Sequence, residues 1–249
     1  MGKLEPYSRS LEYSYALGVF PCHQLLNARP DCAMRLLLHP DGMASEGISL
    51  LREKCAALGV REETAERVLR RESKKDNCYA GIVFEKFEAK LSDKADHVVL
   101  NAISDSGNLG TALRTCLGLG IRNVALIRPC VDIFDPHTVR SSMGAVFSMN
   151  VRVFDTFDQY RALFPAHALY PFMLTGSVPL YEAAAAPEKP FALVFGNEGS
   201  GLPAEFAQMG RPVRIPMTGD VDSYNLAISV AMGAYAFTGQ DPEYRVKYQ

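Results

Sequence analysis

The sequence predicts an α/β protein. Its C-terminal part should hold a mostly parallel sheet with crossover helices, preceded by a smaller mixed α/β region. Three observations predict this. From His97 onward, short apolar runs alternate with segments of helical periodicity, the rhythm of strands joined by helices. Phe191–Phe195 is apolar at every position, as a strand covered on both faces is. Gly, Asn, Ser and charged residues gather where such runs end, after residues 103, 195 and 217. In an open α/β sheet that seam, at the carboxyl ends of strands, is where ligands bind.

The elements follow in order. Ala33–Leu38 is a short apolar run stopped by the turn signal His39-Pro-Asp-Gly. Residues 45–58 have helical periodicity, with Ile48, Leu51, Cys55 and Leu58 on one stripe and Gly59 as the stop. Residues 62–71 read as another short helix and 81–84 as a strand. The polar stretch 88–96 carries a boundary between an N-terminal domain, residues 1–92, and a C-terminal domain, residues 93–249. There, 98–103 reads as a strand, 104–110 as a loop turning through Gly107 and Gly110, and 111–119 as a helix ended by Gly120. Residues 124–127 form the next strand. Asp135 and Pro136 suit the cap and first position of a helix running to about residue 143. A strand at 151–154, a helix at Phe157–Leu163, a strand within 171–175 and a short helix at 182–186 come next. The strands Phe191–Phe195 and 212–216 precede a closing helix, 225–237, with an apolar stripe of Leu226, Val230, Gly233 and Phe237.

Composition removes several classes. A chain of 249 residues with 48% hydrophobic content suits one large or two ordinary globular domains. No apolar run approaches ~18 residues, so no membrane helix is expected. The first residues lack a secretory core, and Pro6 stands where a myristoylation signal has Ser or Thr. Without export, Cys22, Cys32, Cys55, Cys78, Cys116 and Cys130 read as reduced and mostly buried in a cytoplasmic protein. None forms C-x-x-C, and the five histidines are scattered, so no metal site is expected. A net charge of −2 weighs mildly against a nucleic-acid partner. Against that, Arg67, Arg70, Arg71 and Lys74 share one face at helical spacing. The face is either a phosphate-contacting surface or a solvated one balanced by Glu62, Glu63, Glu66 and Glu72.

Three segments carry chemistry. The first runs from Asp105 to Thr115 and includes Asn108 and Arg114. A helix start offers free N–H groups to an anion, and Arg114 is placed about one turn in, able to reach a phosphate or polarise a hydroxyl. It lacks both the dinucleotide fingerprint and the P-loop pattern. The second, from Leu193 to Pro203, sets Glu198 among Gly196, Gly199 and Gly201. Glycines after a buried strand allow close backbone approach to a ligand. A carboxylate there needs a partner, and Arg114 is the natural candidate. The third, from Ile215 to Val230, brings Ser223 and Asn225 to a helix start, where either would also serve as an ordinary cap.

In wording and order these segments resemble the three motifs of the SpoU/TrmH family of RNA ribose 2′-O-methyltransferases, in the SPOUT superfamily. The stretch Val139-Arg-Ser-Ser-Met-Gly-Ala145 is also family-like. The resemblance implies a trefoil-knotted SPOUT domain, a homodimer, and S-adenosylmethionine bound within the knot. It implies catalytic roles for Asn108, Arg114, Glu198, Ser223 and Asn225, with Arg114 in the position of the proposed catalytic arginine. The cofactor pocket would be lined by Thr175, Gly196, Ile215, Met217, Tyr224 and Leu226, largely through backbone groups. Tyr224 stands where relatives commonly have Leu. Around Leu17–Leu26 and residues 80–84, the N-terminal region resembles the ribosomal-protein-L30-like RNA-binding domain of many members. The implied substrate is RNA, ribosomal in preference to transfer RNA. The rivals are a transfer-RNA 2′-O-methyltransferase and a non-catalytic RNA-binding protein that keeps the fold. A nucleotide-cofactor oxidoreductase is disfavoured by the missing glycine fingerprint.

Overall fold

A computed structural model describes residues 4–43, 45–174 and 178–239 of the chain. In order, its elements begin with β1 (Tyr13–Leu17), α1 (Val19–Ala28), β2 (Ala33–Leu38), α2 (Glu46–Ala57), β3 (Arg61–Thr64), α3 (Glu66–Ser73) and β4 (Ala80–Glu85). Then come β5 (His97–Asn101), α4 (Ser106–Gly118), β6 (Asn123–Ile127), α5 (Pro136–Ser141), β7 (Asn150–Phe154), α6 (Phe157–Leu163) and β8 (Ala168–Pro171). The chain continues with β9 (Val178–Pro179), α7 (Leu180–Ala183), β10 (Phe191–Phe195), β11 (Val213–Arg214) and α8 (Leu226–Thr238).

The chain divides into two compact units, Met1–Glu88 with Asp132–Ser148, and Ala89–Val131 with Met149–Gln249. The first crossing thus falls four residues before the expected one at 92–93. Asp132–Ser148, expected in the C-terminal domain, packs instead with the N-terminal residues. Apolar burial explains this: Phe134 and Phe147 set their rings 5.8 and 5.0 Å from that of Phe84, and the Ser14 hydroxyl donates to the Phe134 carbonyl.

The first unit is a four-stranded sheet, β1-β4-β2-β3, antiparallel except for the β2–β3 pair. Tyr15, Leu17, Leu37, Leu69 and Val83 form a core. The expected helix over 62–71 is split. Its first residues are the edge strand β3, whose backbone pairs with β2 while its charged side chains stay outside, and only the remainder is helical. On α3, Arg70 pairs with Glu66 at 3.3 Å and Arg71 with Glu72 at 2.5 Å, so half of the basic face is already balanced.

The second unit holds a five-stranded, wholly parallel sheet in the order β7-β6-β5-β10-β8. Its central strands β5 and β10 are buried along nearly their whole length, as strands covered on both faces are. From β5 the chain steps outward through β6 to β7, whereas β8 and β10 lie on the other side. The order therefore reverses between β5 and β10, and the crevice beyond their carboxyl ends is the expected ligand position.

Three local differences matter. The helix α4 begins at Ser106, not residue 111, because the Asp105 carboxylate accepts the Asn108 amide at 2.6 Å and caps it early. Gly107 and Gly110 are therefore helical, not turn residues. Of the strand expected over 171–175, only Pro171 is in β8, which lies earlier at Ala168–Pro171, and Thr175 is outside the described residues; the short helix expected at 182–186 is displaced to α7, Leu180–Ala183. The α8 stripe of Leu226, Val230, Gly233 and Phe237 is buried in the chain's own core, while Ile228 and Tyr235 point outward, 51% and 67% exposed. All six cysteines are free and buried. No helix among the described residues is long and apolar enough to cross a membrane.

Candidate functional site

The site is built on the reversal point. After β10 the chain turns at Gly196, where a Cβ would lie 2.1 Å from the Gly201 carbonyl carbon, so only glycine fits. The loop closes through Asn197 N–H to Gly201 O at 3.2 Å and Gly201 N–H to Asn197 O at 2.9 Å. The Asn197 side chain organises the interior. Its Oδ1 accepts from the Gly199 and Ser200 amides at 2.9 and 3.1 Å, an Asx turn. Its Nδ2 donates to the Ala102 carbonyl at 2.8 Å. Ala102, just past β5, has a φ of 59°, a left-handed conformation that costs a residue with a side chain. Asn197 was not among the expected site residues, although its place between Gly196 and Glu198 is a turn signal.

This loop aims Glu198 at the start of α4. The carboxylate accepts from Ser104 N and Oγ at 3.3 and 3.1 Å, Asp105 N at 3.2 Å, Asn108 Nδ2 at 3.3 Å and Asn197 Nδ2 at 3.4 Å. Partial burial pushes its pKa up, but hydrogen bonds from its own backbone amide, Asn108 and Ser104 outweigh that and hold it below the usual value. The expected Arg114–Glu198 pair is absent among the described residues. Uncharged donors and the positive end of α4 already meet the carboxylate's needs. Because α4 starts early, Arg114 lies beyond its second turn, exposed and without an ion pair among the described residues.

Asn225 completes the arrangement. Its Oδ1 caps α8, accepting from Ala227 N at 2.9 Å, and its Nδ2 donates to Asn108 Oδ1 at 2.9 Å. Asn225, Asn108 and Glu198 thus form a continuous hydrogen-bonded chain joining the starts of α4 and α8 to the loop after β10.

Beside this chain opens a cavity of about 400 Å³, within the range of small-molecule sites. Gly196, Ile215, Met217, Tyr224 and Leu226 line it, as do Glu198 and Ser223. Phe172 and Phe195 also line it, their rings stacked at 4.2 Å. Against them packs Gly233, whose absent Cβ would stand 2.6 Å from the Phe172 ring. Thr175 lies outside the described residues. Asn108, Asn225 and Arg114 do not line the cavity. The combination of an apolar floor, a carboxylate at one side and exposed main chain suits a ligand that joins an aromatic ring to a polar, cationic part. No group of three or more potential metal ligands occurs among the described residues.

Residues 96–235 match the sequence model of the SpoU rRNA Methylase family. The 23S rRNA (guanosine(2553)-2′-O)-methyltransferase of Bacillus subtilis is 30% identical over 156 residues, covering 61% of this chain and 61% of the relative. The 23S rRNA (adenosine(1067)-2′-O)-methyltransferase of Streptomyces laurentii is 31% identical over 144 residues, 56% of this chain and 53% of the relative. The chain therefore spans little more than half the length of the curated relatives it matches. Among solved structures, the AdoMet-bound rRNA methyltransferase from Sinorhizobium meliloti superposes with a TM-score of 0.76 at 26% identity, covering 91% of this chain and 87% of that one.

Proposed function

The chain belongs to the SpoU rRNA methylase family, and from that premise we propose that it methylates the 2′-hydroxyl of an RNA ribose, using S-adenosylmethionine held in the cavity beside Glu198. The observation that carries this reading is the Asn225–Asn108–Glu198 chain set at the lip of a cavity on the sheet's reversal point.

When bound, the cofactor supplies an electrophilic methyl group on a sulfonium. The residues that would hold it are Gly196, Ile215, Met217, Tyr224 and Leu226, with Thr175 as a further contact. Glu198 and Asn108 fix the start of α4, and Asn225 fixes the start of α8, so that the reacting hydroxyl meets a prearranged edge. Ser223, on the cavity wall, positions the ribose. A ribose hydroxyl is a weak nucleophile until polarised. Arginine is not deprotonated in proteins; Arg114 therefore orients and polarises the hydroxyl, and the proton passes to another acceptor.

The same reading includes a trefoil-knotted C-terminal domain and a homodimer in the cytoplasm. Since the Leu226–Phe237 stripe is used internally, the partner would meet the outward residues Ile228 and Tyr235. The N-terminal domain would bind RNA in the manner of an L30-like module, with Arg67 on α3 and Lys74 at its C-cap as the cations that no ion pair balances among the described residues. Ribosomal RNA is the preferred substrate; two of the relatives are named for 23S rRNA. The test is titration with S-adenosylhomocysteine, followed by tritiated methyl transfer to ribosomal and transfer RNA from a strain lacking the gene. Saturable binding with label in ribosomal RNA supports the reading. Label in transfer RNA moves the substrate, and binding of RNA without transfer supports the non-catalytic rival.

A further inference from the structure

The geometry points to Tyr224 as a positioning residue that straps together the two cavity walls contributed by the loop between β11 and α8. Its phenol donates to the Pro216 carbonyl at 3.3 Å, closing the loop end to end. Ile215 and Met217 form one wall; Ser223, Tyr224 and Leu226 form the other. Residues 218–222 lie between them, outside the cavity lining and exposed to solvent. From residue 217 to 224 the backbone makes one turn at residues 219–220, and no other side-chain hydrogen bond is present among the described residues. Each wall is anchored at its far end, one by the pairing of β11 with β9 and the other by the Asn225 cap and buried Leu226; the Tyr224 hydroxyl is the side-chain link that ties them directly across the exposed stretch between. A ring also cannot be replaced here by an aliphatic side chain of similar bulk, because the bond needs the phenol oxygen.

The inference rests on reading the cavity as the cofactor site, and its consequence is kinetic. A strap that only sets the width of a binding pocket affects ground-state cofactor affinity and leaves the transferred group untouched. Tyr224→Phe should weaken S-adenosylhomocysteine binding roughly fivefold, the worth of one neutral hydrogen bond. It should raise KM for the cofactor in proportion and leave kcat at saturation within about twofold.

The chain has no tryptophan, so Val221→Trp, at an exposed loop position, provides a single fluorophore. In that background and without ligand, Tyr224→Phe should lower the steady-state anisotropy of the indole and speed its decay, with far-UV circular dichroism and melting temperature unchanged. Unchanged anisotropy, or a fall in kcat with constant KM, overturns the strap. Failure of the wild type to bind S-adenosylhomocysteine overturns the cofactor reading instead, and the ligand-free anisotropy still judges the strap by itself.

Discussion

Replacing Glu198 is the sharpest probe of how the site is assembled. In Glu198→Ala, the Ser104 and Asp105 amides, the Ser104 hydroxyl and the Asn108 amide lose an anionic acceptor at 3.1 to 3.3 Å. These bonds are long and reach solvent, so water recovers much of their energy. An anion at a helix N-terminus contributes about 0.3–1 kcal/mol, and several weak charge-assisted bonds add on the order of 1 kcal/mol. The expected loss is about 2 kcal/mol, a fall in melting temperature of roughly 5 °C for a chain of this size. The pH dependence gives the sign. The folded-state pKa is depressed, so the stabilisation is present above the unfolded value and is lost as pH falls through the folded value. Urea titrations at neutral and acidic pH should show the gap between wild type and Glu198→Gln closing on acidification. Equal stability of wild type and Glu198→Ala at neutral pH would refute the claim that the carboxylate organises α4. A gap that widens in acid would refute the depressed pKa.

Other outcomes follow from the same geometry. Gly196→Ala forces a methyl group to within 2.1 Å of the Gly201 backbone; the loop must move, and calorimetry should show S-adenosylhomocysteine affinity falling by about 100-fold, or ~3 kcal/mol, as for overpacked sites. At the opposite end of β5, His97 is fully buried, with its ring 4.1 Å from that of His167. Burial, then the neighbouring His167, lowers its pKa to about 4, so its stabilisation is complete above the unfolded value near 6.5 and disappears as pH falls toward 4. Wild type should lose on the order of 3 kcal/mol across that window in guanidinium titrations, and His97→Asn should lose clearly less. Arg114→Ala should reduce single-turnover methyl transfer by about 100-fold or more while leaving S-adenosylhomocysteine affinity nearly unchanged. Arg114→Lys should not restore it, since a point charge lacks the planar fork.

Much of the second unit was legible because its strands are short and apolar and its ligand loops sit at their ends. Phe191–Phe195 and Phe157–Leu163 have the expected bounds. The Asp135 cap is visible in the residues and present in the fold, accepting from the His137 amide at 2.8 Å. Where expectation and structure part, the cause is a competition that spacing does not rank. Asp105 as a cap overrides the glycines that suggested a loop at 104–110. The edge pairing of β3 overrides the helical charge pattern of 62–71. Glu198 looks as if it needs a cation, yet neighbouring amides satisfy it. Pairs distant in sequence, such as Asn225 with Asn108 or Phe134 with Phe84, emerge only once the elements are packed.

The most direct test is where the methyl group lands. RNA labelled from tritiated S-adenosylmethionine by the purified protein is hydrolysed in alkali, which cleaves after a free 2′-hydroxyl but not after a methylated one. Label should appear in alkali-resistant dinucleotides from one position in ribosomal RNA and be lost in Arg114→Ala. Label recovered in mononucleotides would mean base methylation, and would contradict the proposed reaction outright.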